Sequence, residues 1–216
     1  SLMITTLSVW LAQAIINLDW RFRGRERLLR MLGPHCRGVP LTSRYGVRLV
    51  ANLEDTTNRF CMDGAYGDGI SSAIARMRAG DAFVDIGANA GLFSILAARA
   101  VGETGAIVAF EPQQRLAAEL LQNARINGAG NVFVVGAAVG ASTCIARMEV
   151  PARHSGTAFV TKGEGSPVFM VGPDVVLPLL HAYVGKRATL IKIDVEGAEL
   201  SVLRALESTL AQLDVA

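Results

Sequence analysis

The sequence predicts an α/β fold with a doubly wound, mostly parallel sheet, and three observations support this prediction. Short apolar runs alternate with longer helical segments from residue 82 onward. The runs have the length and apolar content of buried strands, and the segments between them show helical periodicity. The chain has 216 residues, of which 51% are hydrophobic, so it can bury one sizeable core.

The predicted elements alternate in a regular order along residues 81–216. Strands are expected at 82–86, 106–110, 131–135 and 190–194, and helices at 92–101, 115–127 and 198–213. Residues 141–175 are expected to be irregular or antiparallel. Alternation of this kind places helices on both faces of a parallel sheet. A further strand should begin at Asp214, so we expect the last strands to be missing, or a dimer partner to cover the exposed edge.

Residues 1–80 are expected to form an N-terminal helical and β extension packed on the core of residues 81–216. Residues 1–33 are predicted to be helical, with the end near Gly33 and Pro34. Residues 39–62 contain short β-like runs, and another helix is expected from Ile70 to Arg78.

The N-terminal region is strongly basic. Residues 1–50 carry a net charge of +6, whereas the whole chain carries +2. A basic arm suits an anionic partner, although a solvated helix face is the favoured interpretation. The apolar stretch from residue 4 to residue 18 is shorter than the ~20 residues needed to span a bilayer. Packing on its own domain is favoured, and peripheral membrane contact through residues 4–30 or a homodimer interface are the alternatives. No nucleic-acid partner is expected.

The three cysteines are widely spaced and form no metal-binding or disulfide pattern. Neither a disulfide framework nor a metal site is therefore expected. This cysteine usage favours a reducing, cytoplasmic compartment.

A glycine-containing loop follows the first predicted strand. Asp85 stands at the strand end, and Gly87, Asn89 and Gly91 follow before the helix begins. Glycines allow a tight turn and a close approach to a ligand, and the helix N-terminus points its dipole at the same crevice. Strand order commonly reverses beside such a strand, which makes this crevice the expected ligand site.

A carboxylate follows the second predicted strand. Glu111 can accept hydrogen bonds from both hydroxyls of a ribose, although a surface glutamate before the turn-forming Pro112 is the alternative. Together with the glycine loop, Glu111 predicts a nucleoside-containing cofactor. Both NAD and S-adenosyl-L-methionine are compatible with these residues, although the glycine spacing of the loop departs from the dinucleotide fingerprint.

Two more carboxylates follow the last buried strand. Asp194 and Glu196 lie at the expected carboxyl edge of the sheet, where they could contact a cofactor or take a proton from a substrate hydroxyl. Complementing the N-terminus of the next helix is the alternative role for Glu196 and Glu199.

Three blocks resemble the signature of FkbM-type methyltransferases. They are residues 83–94, 108–112 and 191–199, in the family's order and spacing, with weaker matches at Tyr66–Gly67 and residues 154–157. The resemblance implies a class I, Rossmann-like methyltransferase that uses S-adenosyl-L-methionine. It places one group of residues at the methionine side of the cofactor: Asp85, Gly87, Asn89 and Gly91. It places Glu111 at the ribose, and it places Pro112, Gln113 and Ala137 beside the adenine.

The resemblance also implies the chemistry. Asp194 would stand near the transferable methyl group, and Asp194, Glu196 and His154 are the candidates for a catalytic base. For His154, an ordinary surface histidine is the favoured interpretation from the residues alone. The expected function is O-methylation of a hydroxyl on a sugar, polysaccharide or secondary metabolite, with a small-molecule or saccharide acceptor. The alternatives are an NAD(P)-dependent oxidoreductase on a similar fold and a non-catalytic methyltransferase-like binding domain.

Overall fold

The computed structural model describes residues 2–18, 22–64, 67–161 and 163–215. The N-terminal part contains α1 (Leu2–Asn17), α2 (Arg25–Cys36), β1 (Pro40–Thr42), β2 (Arg48–Val50), α3 (Thr56–Asp63) and α4 (Asp68–Ile74). The rest contains β3 (Ala82–Ile86), α5 (Leu92–Val101), β4 (Ala106–Phe110), α6 (Gln114–Ile126), β5 (Val132–Val135), β6 (Ala138–Val139), β7 (Cys144–Glu149), β8 (Phe159–Thr161), β9 (Ser166–Val171), α7 (Pro173–Tyr183), β10 (Ala188–Ile193), α8 (Glu199–Leu210) and β11 (Asp214–Val215). A 3₁₀ turn at Ser155–Thr157 lies between β7 and β8.

The central sheet has five strands in the order β11-β10-β3-β4-β5. Every neighbouring pair is parallel. The chain order reverses beside β3, because β4 and β5 lie on one side of it and β10 and β11 on the other. The doubly wound parallel sheet is thus confirmed. A strand also begins at Asp214 as expected, since Asp214 pairs with Ala188 of β10.

Helices cover both faces of this sheet. Successive side chains of a strand point to opposite faces, so β3 serves two cores. Phe83 joins a cluster with α1, α2, α3 and α5 on one face. Val84 and Ile86 join a cluster with α7 and α8 on the other face. The chain therefore buries residues from before and after position 81 in a shared core.

Side-chain hydrogen bonds tie the N-terminal hairpin to α6. The Oδ1 atom of Asn123 accepts a hydrogen bond from the Val50 amide at 2.8 Å, and that of Asn127 accepts one from the Arg48 amide at 3.0 Å. The two asparagines continue the hydrogen bonding of β2 where a further strand would pair.

The predicted N-terminal helical stretch is two helices. The helix α2 begins after Gly24, whose φ is +94°, and it continues through Gly33 and Pro34 to Cys36. The prediction that the helix ends near Gly33 and Pro34 was wrong. A proline disfavours helical backbone in the residue before it through clashes with that residue's backbone N–H and Cβ, and Gly33 has no Cβ.

The second difference is α3, which lies within the predicted β-like region of residues 39–62. Its N-cap is Asp55, whose side chain accepts a hydrogen bond from the Asn58 amide, and Gly64 ends it with φ +66°. An acidic N-cap and a glycine after the helix are sequence signals for a helix. The helix α4 is also shorter than predicted, because it ends at Ile74 instead of Arg78.

Residues 138–171 form a second, four-stranded sheet in the order β6-β9-β7-β8. The strand β7 pairs antiparallel with both β8 and β9, which confirms the antiparallel alternative for this region. The helix α7 follows directly and was not predicted, although Pro173 at its first turn marks the start.

Among the described residues, no helix combines the length and the apolar content needed to cross a membrane. In the same part of the chain, no group of three or more histidine, cysteine or acidic side chains is placed to hold a metal ion. All three cysteines are free thiols.

Candidate functional site

A cavity of about 470 Å³ opens at the carboxyl edge of the central sheet, beside β3. Its floor comes from the loops that follow β3, β4 and β10. Its cover comes from α3, the 3₁₀ turn and the four-stranded sheet. A ligand crevice is expected at the strand-order reversal of such a sheet, and this cavity occupies that position.

The glycines of the loop after β3 are required by protein contacts. Gly87 has φ +83°, and a Cβ there would overlap the backbone carbonyl oxygen of Asp194. Gly91 has φ +89°, and a Cβ there would overlap the side chain of Leu120. Gly87 lines the cavity, whereas Gly91 does not. Both glycines therefore have a packing reason, because they let the loop lie against the end of β10 and against α6, and Gly87 also remains at the predicted ligand surface.

Asp85 lies beneath the cavity. It is fully buried and is not among the lining residues. Its carboxylate accepts a hydrogen bond from the Ser94 hydroxyl at 2.6 Å and another from Lys192 Nζ at 3.0 Å. The structure therefore places Asp85 as a support of the floor and not along the ligand surface.

Lys192 connects the loops that form the floor of the cavity. The sequence patterns had indicated no role for this residue. Its ammonium group donates to Asp85 and to the Gly87 carbonyl at 3.0 Å, and it lies 3.5 Å from Asp194 Oδ2. Burial lowers the pKa of this ammonium, but the nearby carboxylates of Asp85 and Asp194 outweigh burial and raise it overall. The lysine therefore stays protonated and links the loops after β3 and β10.

Glu111 lies at the edge of the cavity and is 3% exposed. Its two carboxylate oxygens accept hydrogen bonds from the Asn89 and Gln113 amides, both at 2.8 Å. Burial raises its pKa to about 7, against the opposing effect of these two hydrogen bonds. Each oxygen of a carboxylate has two acceptor positions, so each keeps one for a ligand.

The three residues predicted beside the adenine, Pro112, Gln113 and Ala137, line the cavity next to Glu111. The Gln113 side chain donates a hydrogen bond to the Ser155 carbonyl at 3.0 Å. This bond connects the floor to the cover on the Glu111 side.

The three candidate bases also line the cavity. Asp194 is partly exposed and lies beside Lys192. Glu196 has φ +50°, and its pKa is raised by burial and by the negative charges of Asp194 and Glu199, against the opposing charge of His154. His154 is half-buried, and its Nδ1 lies 3.4 Å from the Thr57 hydroxyl. The structure therefore brings a histidine and two carboxylates to the same cavity.

Glu199 lies at the N-terminus of α8, where it could complement the helix. Its Oε1 atom accepts hydrogen bonds from the Val195 and Gly197 amides at 3.1 and 3.2 Å. Glu199 thus stabilises the turn before α8.

The cover contains the residues that sequence reasoning missed. Thr57 and Phe60 come from α3, and Met148 and Met170 come from the four-stranded sheet. Asp55 holds the cover together, because its carboxylate accepts hydrogen bonds from the Ser155 amide and hydroxyl at 2.9 and 3.0 Å. The sequence signal for Asp55 was its position before a helix.

The weaker match to the family signature at Tyr66–Gly67 immediately precedes α4. Tyr66 lies outside the described residues. A Cβ on Gly67 would overlap the ring of Phe93, which lines the cavity.

A comparison with known families identifies the family of this chain. The model of the "Methyltransferase FkbM domain" family matches residues 85–216, which is more than half of the chain. The chain belongs to the FkbM methyltransferase family. The match begins at Asp85 and includes all three loops of the cavity floor.

Comparison with solved structures gives partial similarities to methyltransferases. An FkbM methyltransferase from Methylobacillus flagellatus KT is 15% identical, with a TM-score of 0.44, over 96% of this chain and 46% of that one. The SAM-dependent O-methyltransferase of Thermotoga maritima is 24% identical, with a TM-score of 0.31, over 46% of this chain and 40% of that one. The M. jannaschii protein TYW2, solved in complex with AdoMet, is 17% identical, with a TM-score of 0.35, over 46% and 43%.

This FkbM chain spans less than half the length of these three solved proteins. The comparison with curated proteins gave no significant match.

Proposed function

We propose that this FkbM domain binds S-adenosyl-L-methionine in the cavity and transfers its methyl group to a hydroxyl of a sugar, polysaccharide or secondary metabolite. The observation that carries the proposal is the geometry of Glu111. Two backbone amides fix its carboxylate at the cavity edge, and one acceptor position on each oxygen is left for the two hydroxyls of a ribose. The volume, about 470 Å³, lies within the ~300–1,000 Å³ range of small-molecule sites.

The charges around the cavity favour a sulfonium cofactor over a dinucleotide. Glu111, Asp194 and Glu196 line it, and the charge of Lys192 is already matched by Asp85 below the floor. An excess of carboxylates attracts a cation and repels the pyrophosphate of NAD(P). When bound, the cofactor would supply a methyl group on a sulfonium, which is already activated for attack by a nucleophile.

The chain's own residues would then position the acceptor and accept its proton. An alcohol has a high pKa, so methylation of a hydroxyl benefits from a general base. Asp194, Glu196 and His154 all line the cavity and are the candidate bases. The pKa of Glu196 is raised by burial and by its acidic neighbours, which makes it a better proton acceptor than an ordinary glutamate. We propose that Glu196 takes the proton, while Lys192 and Asp194 hold the floor in place.

The proposal assigns cofactor binding to residues 81–216, with residues 1–80 as an extension that completes the cavity. Thr57, Phe60 and Cys61 of α3 line the cavity, so the extension takes part in the site. We also place the domain in the cytoplasm, where S-adenosyl-L-methionine and free thiols both occur.

Isothermal titration with S-adenosylhomocysteine tests cofactor binding. The wild-type chain should bind it, and Glu111→Ala should weaken binding roughly 100-fold or more, because its two charge-assisted hydrogen bonds to the ribose contribute about 1.5–3 kcal/mol each. Glu103→Ala is the matched control, since Glu103 is exposed and lies outside the cavity. Binding of NADH instead of S-adenosylhomocysteine would support the oxidoreductase alternative and overturn the proposal.

Methyl transfer separates an enzyme from a binding domain. S-adenosylmethionine with a labelled methyl group is incubated with a panel of saccharides and small hydroxylated metabolites. Label should enter a hydroxyl-bearing acceptor with the wild-type chain, and Glu196→Gln should slow transfer while leaving S-adenosylhomocysteine affinity nearly unchanged. Tight cofactor binding with no transfer to any acceptor would favour the non-catalytic alternative.

A further inference from the structure

A second cavity, of about 480 Å³, lies between the N-terminal half of α2 and α3. The helix α3 separates it from the first cavity. Thr57 and Phe60 of α3 face the first cavity, whereas Arg59 and Asp63 face the second. The second cavity shares no lining residue with the candidate methyltransferase site.

Four arginines line this second cavity, which we call the arginine pocket: Arg25, Arg27, Arg30 and Arg59. Two carboxylates also line it, Glu26 and Asp63. Asp63 forms an ion pair with Arg25, with Nη2 and Oδ1 2.5 Å apart. The described lining residues therefore carry a net charge of +2, and one of the two acidic side chains is already engaged.

Two of the arginines are buried and incompletely hydrogen-bonded. Arg25 is 3% exposed and Arg59 is 6% exposed. Arg25 Nη2 donates to the Ile15 and Ile16 carbonyls, but its Nε and Nη1 have no hydrogen-bond partner in the described part of the chain. Arg59 Nε has none there either. A buried donor of a charged group that has no partner is unfavourable, so an acceptor in the pocket would stabilise this arrangement.

Burial of a positive charge also has a cost in this pocket. The pKa of Arg59 is lowered by burial; the negative charge of Glu26 opposes this effect, and the positive charge of Arg30 adds to it to a smaller extent. The N-terminus of α2 adds a further positive potential, because its N-cap is Gly24 and no side chain caps it. An anion between these groups would relieve both effects.

We infer that the arginine pocket binds a phosphate group. A guanidinium presents paired N–H donors that match the oxygens of a phosphate, and several arginines around one concavity are suited to a doubly charged anion. The phosphate could be carried by a soluble ester or by the headgroup of an anionic phospholipid. For the lipid source, Leu28 and Met31 are exposed on the same helix as Arg27 and Arg30, and Trp10 of α1 is 66% exposed.

The test compares rim arginines with matched arginines elsewhere. Arg27 and Arg30 are exposed and can be replaced without opening the core, so the test variant is Arg27→Gln/Arg30→Gln. The control is Arg125→Gln/Arg204→Gln, which removes the same charge from exposed positions on α6 and α8. Binding of inorganic phosphate is measured by isothermal titration at constant ionic strength. The thermal unfolding midpoint of each variant is measured without phosphate to show that the fold is retained.

We expect phosphate to bind the wild-type chain and the control variant with the same affinity. It should bind the rim variant about tenfold more weakly or not at all. Flotation with phosphatidylcholine vesicles, with and without phosphatidic acid, identifies the source. Flotation that needs both phosphatidic acid and the rim arginines assigns the pocket to a lipid headgroup, and phosphate binding without flotation assigns it to a soluble ester. Failure of the wild-type chain to bind phosphate and to float, or equal losses in the two double variants, would overturn the inference.

Discussion

The floor and the cover of the cavity are built in different ways. The floor is held by backbone hydrogen bonds and a buried ion pair, including the bond from the Asp194 amide to the Ile86 carbonyl and the pair of Lys192 with Asp85. In the cover, side chains join α3 to the 3₁₀ turn, because the Asp55 carboxylate accepts a hydrogen bond from the Ser155 amide and the Thr57 hydroxyl accepts one from the Gly156 amide. Substitution in the cover can therefore alter a cavity wall without disturbing the sheet. Under the proposed function, we expect the floor, which carries Glu111, to contribute more to cofactor binding than the cover does.

The largest expected effect concerns the floor at Gly87. We expect Gly87→Ala to cost roughly 3 kcal/mol or more in free energy of unfolding, because the new Cβ meets the Asp194 carbonyl as well as a left-handed backbone. Gly128→Ala is the matched control, with φ +68° and open space around it, and should cost only about 1–2 kcal/mol. Urea denaturation measures both values. Equal losses would show that the contact with Asp194 is unimportant.

The next effect concerns the ion pair below the floor. Asp85→Asn should lower the free energy of unfolding by about 3 kcal/mol, because it removes the nearer of the two carboxylates that pair with the buried ammonium of Lys192. The double variant Asp85→Asn/Lys192→Met removes both charges and should recover part of this loss. Losses that simply add in the double variant would contradict the proposed coupling of the two side chains.

A smaller effect is expected in the cover. Asp55→Ala should cost about 1–3 kcal/mol, because the buried Ser155 amide and hydroxyl lose their acceptor. It should change S-adenosylhomocysteine affinity much less than Glu111→Ala does. Asp81→Ala, at a partly exposed position where the carboxylate accepts one backbone hydrogen bond, is the control and should cost less. If Asp55→Ala lost as much cofactor affinity as Glu111→Ala does, the proposed difference in role between floor and cover would be contradicted.

The smallest effect is a pH dependence set by Glu111. Its pKa of about 7 lies above its ordinary value of 4.5, so the folded protein holds this proton more tightly than the unfolded chain does. The stability contribution of this group is therefore complete below about pH 4.5 and is lost as the pH rises to about 7. Binding of ribose hydroxyls requires the ionised carboxylate as acceptor, so S-adenosylhomocysteine affinity should rise over about pH 6 to 8. Titration calorimetry should show this rise in the wild-type chain and a flat profile in Glu111→Gln.

The floor and the cover also differ in how much of each could be predicted from the sequence. The strands β3 and β4 and the helix α5 were predicted to the residue, because apolar runs of strand length and glycine-bounded helices are local signals. The loops of the floor were found for the same reason, since each follows a buried strand. Asp85 and Gly91 were placed along the ligand surface because a sequence shows position in a loop but not which side of the loop faces a neighbour.

The cover could not be predicted in the same way. It is assembled by contacts between distant parts of the chain, such as Asp55 and Ser155, which are 100 residues apart. The helix α3 was missed within the predicted β-like region because it has only eight residues, and Asp55 and Gly64 mark its ends. Lys192 was passed over because its role depends on Asp85, which lies on a different strand.

A crystal structure of the full chain with S-adenosylhomocysteine would test the cofactor site most directly. We expect the two ribose hydroxyls to donate hydrogen bonds to the two oxygens of Glu111, with the adenine beside Pro112 and Ala137 and the sulfur facing Asp194, Glu196 and His154. A ligand that lies elsewhere, or that fills this cavity with its ribose away from Glu111, would contradict the proposed function.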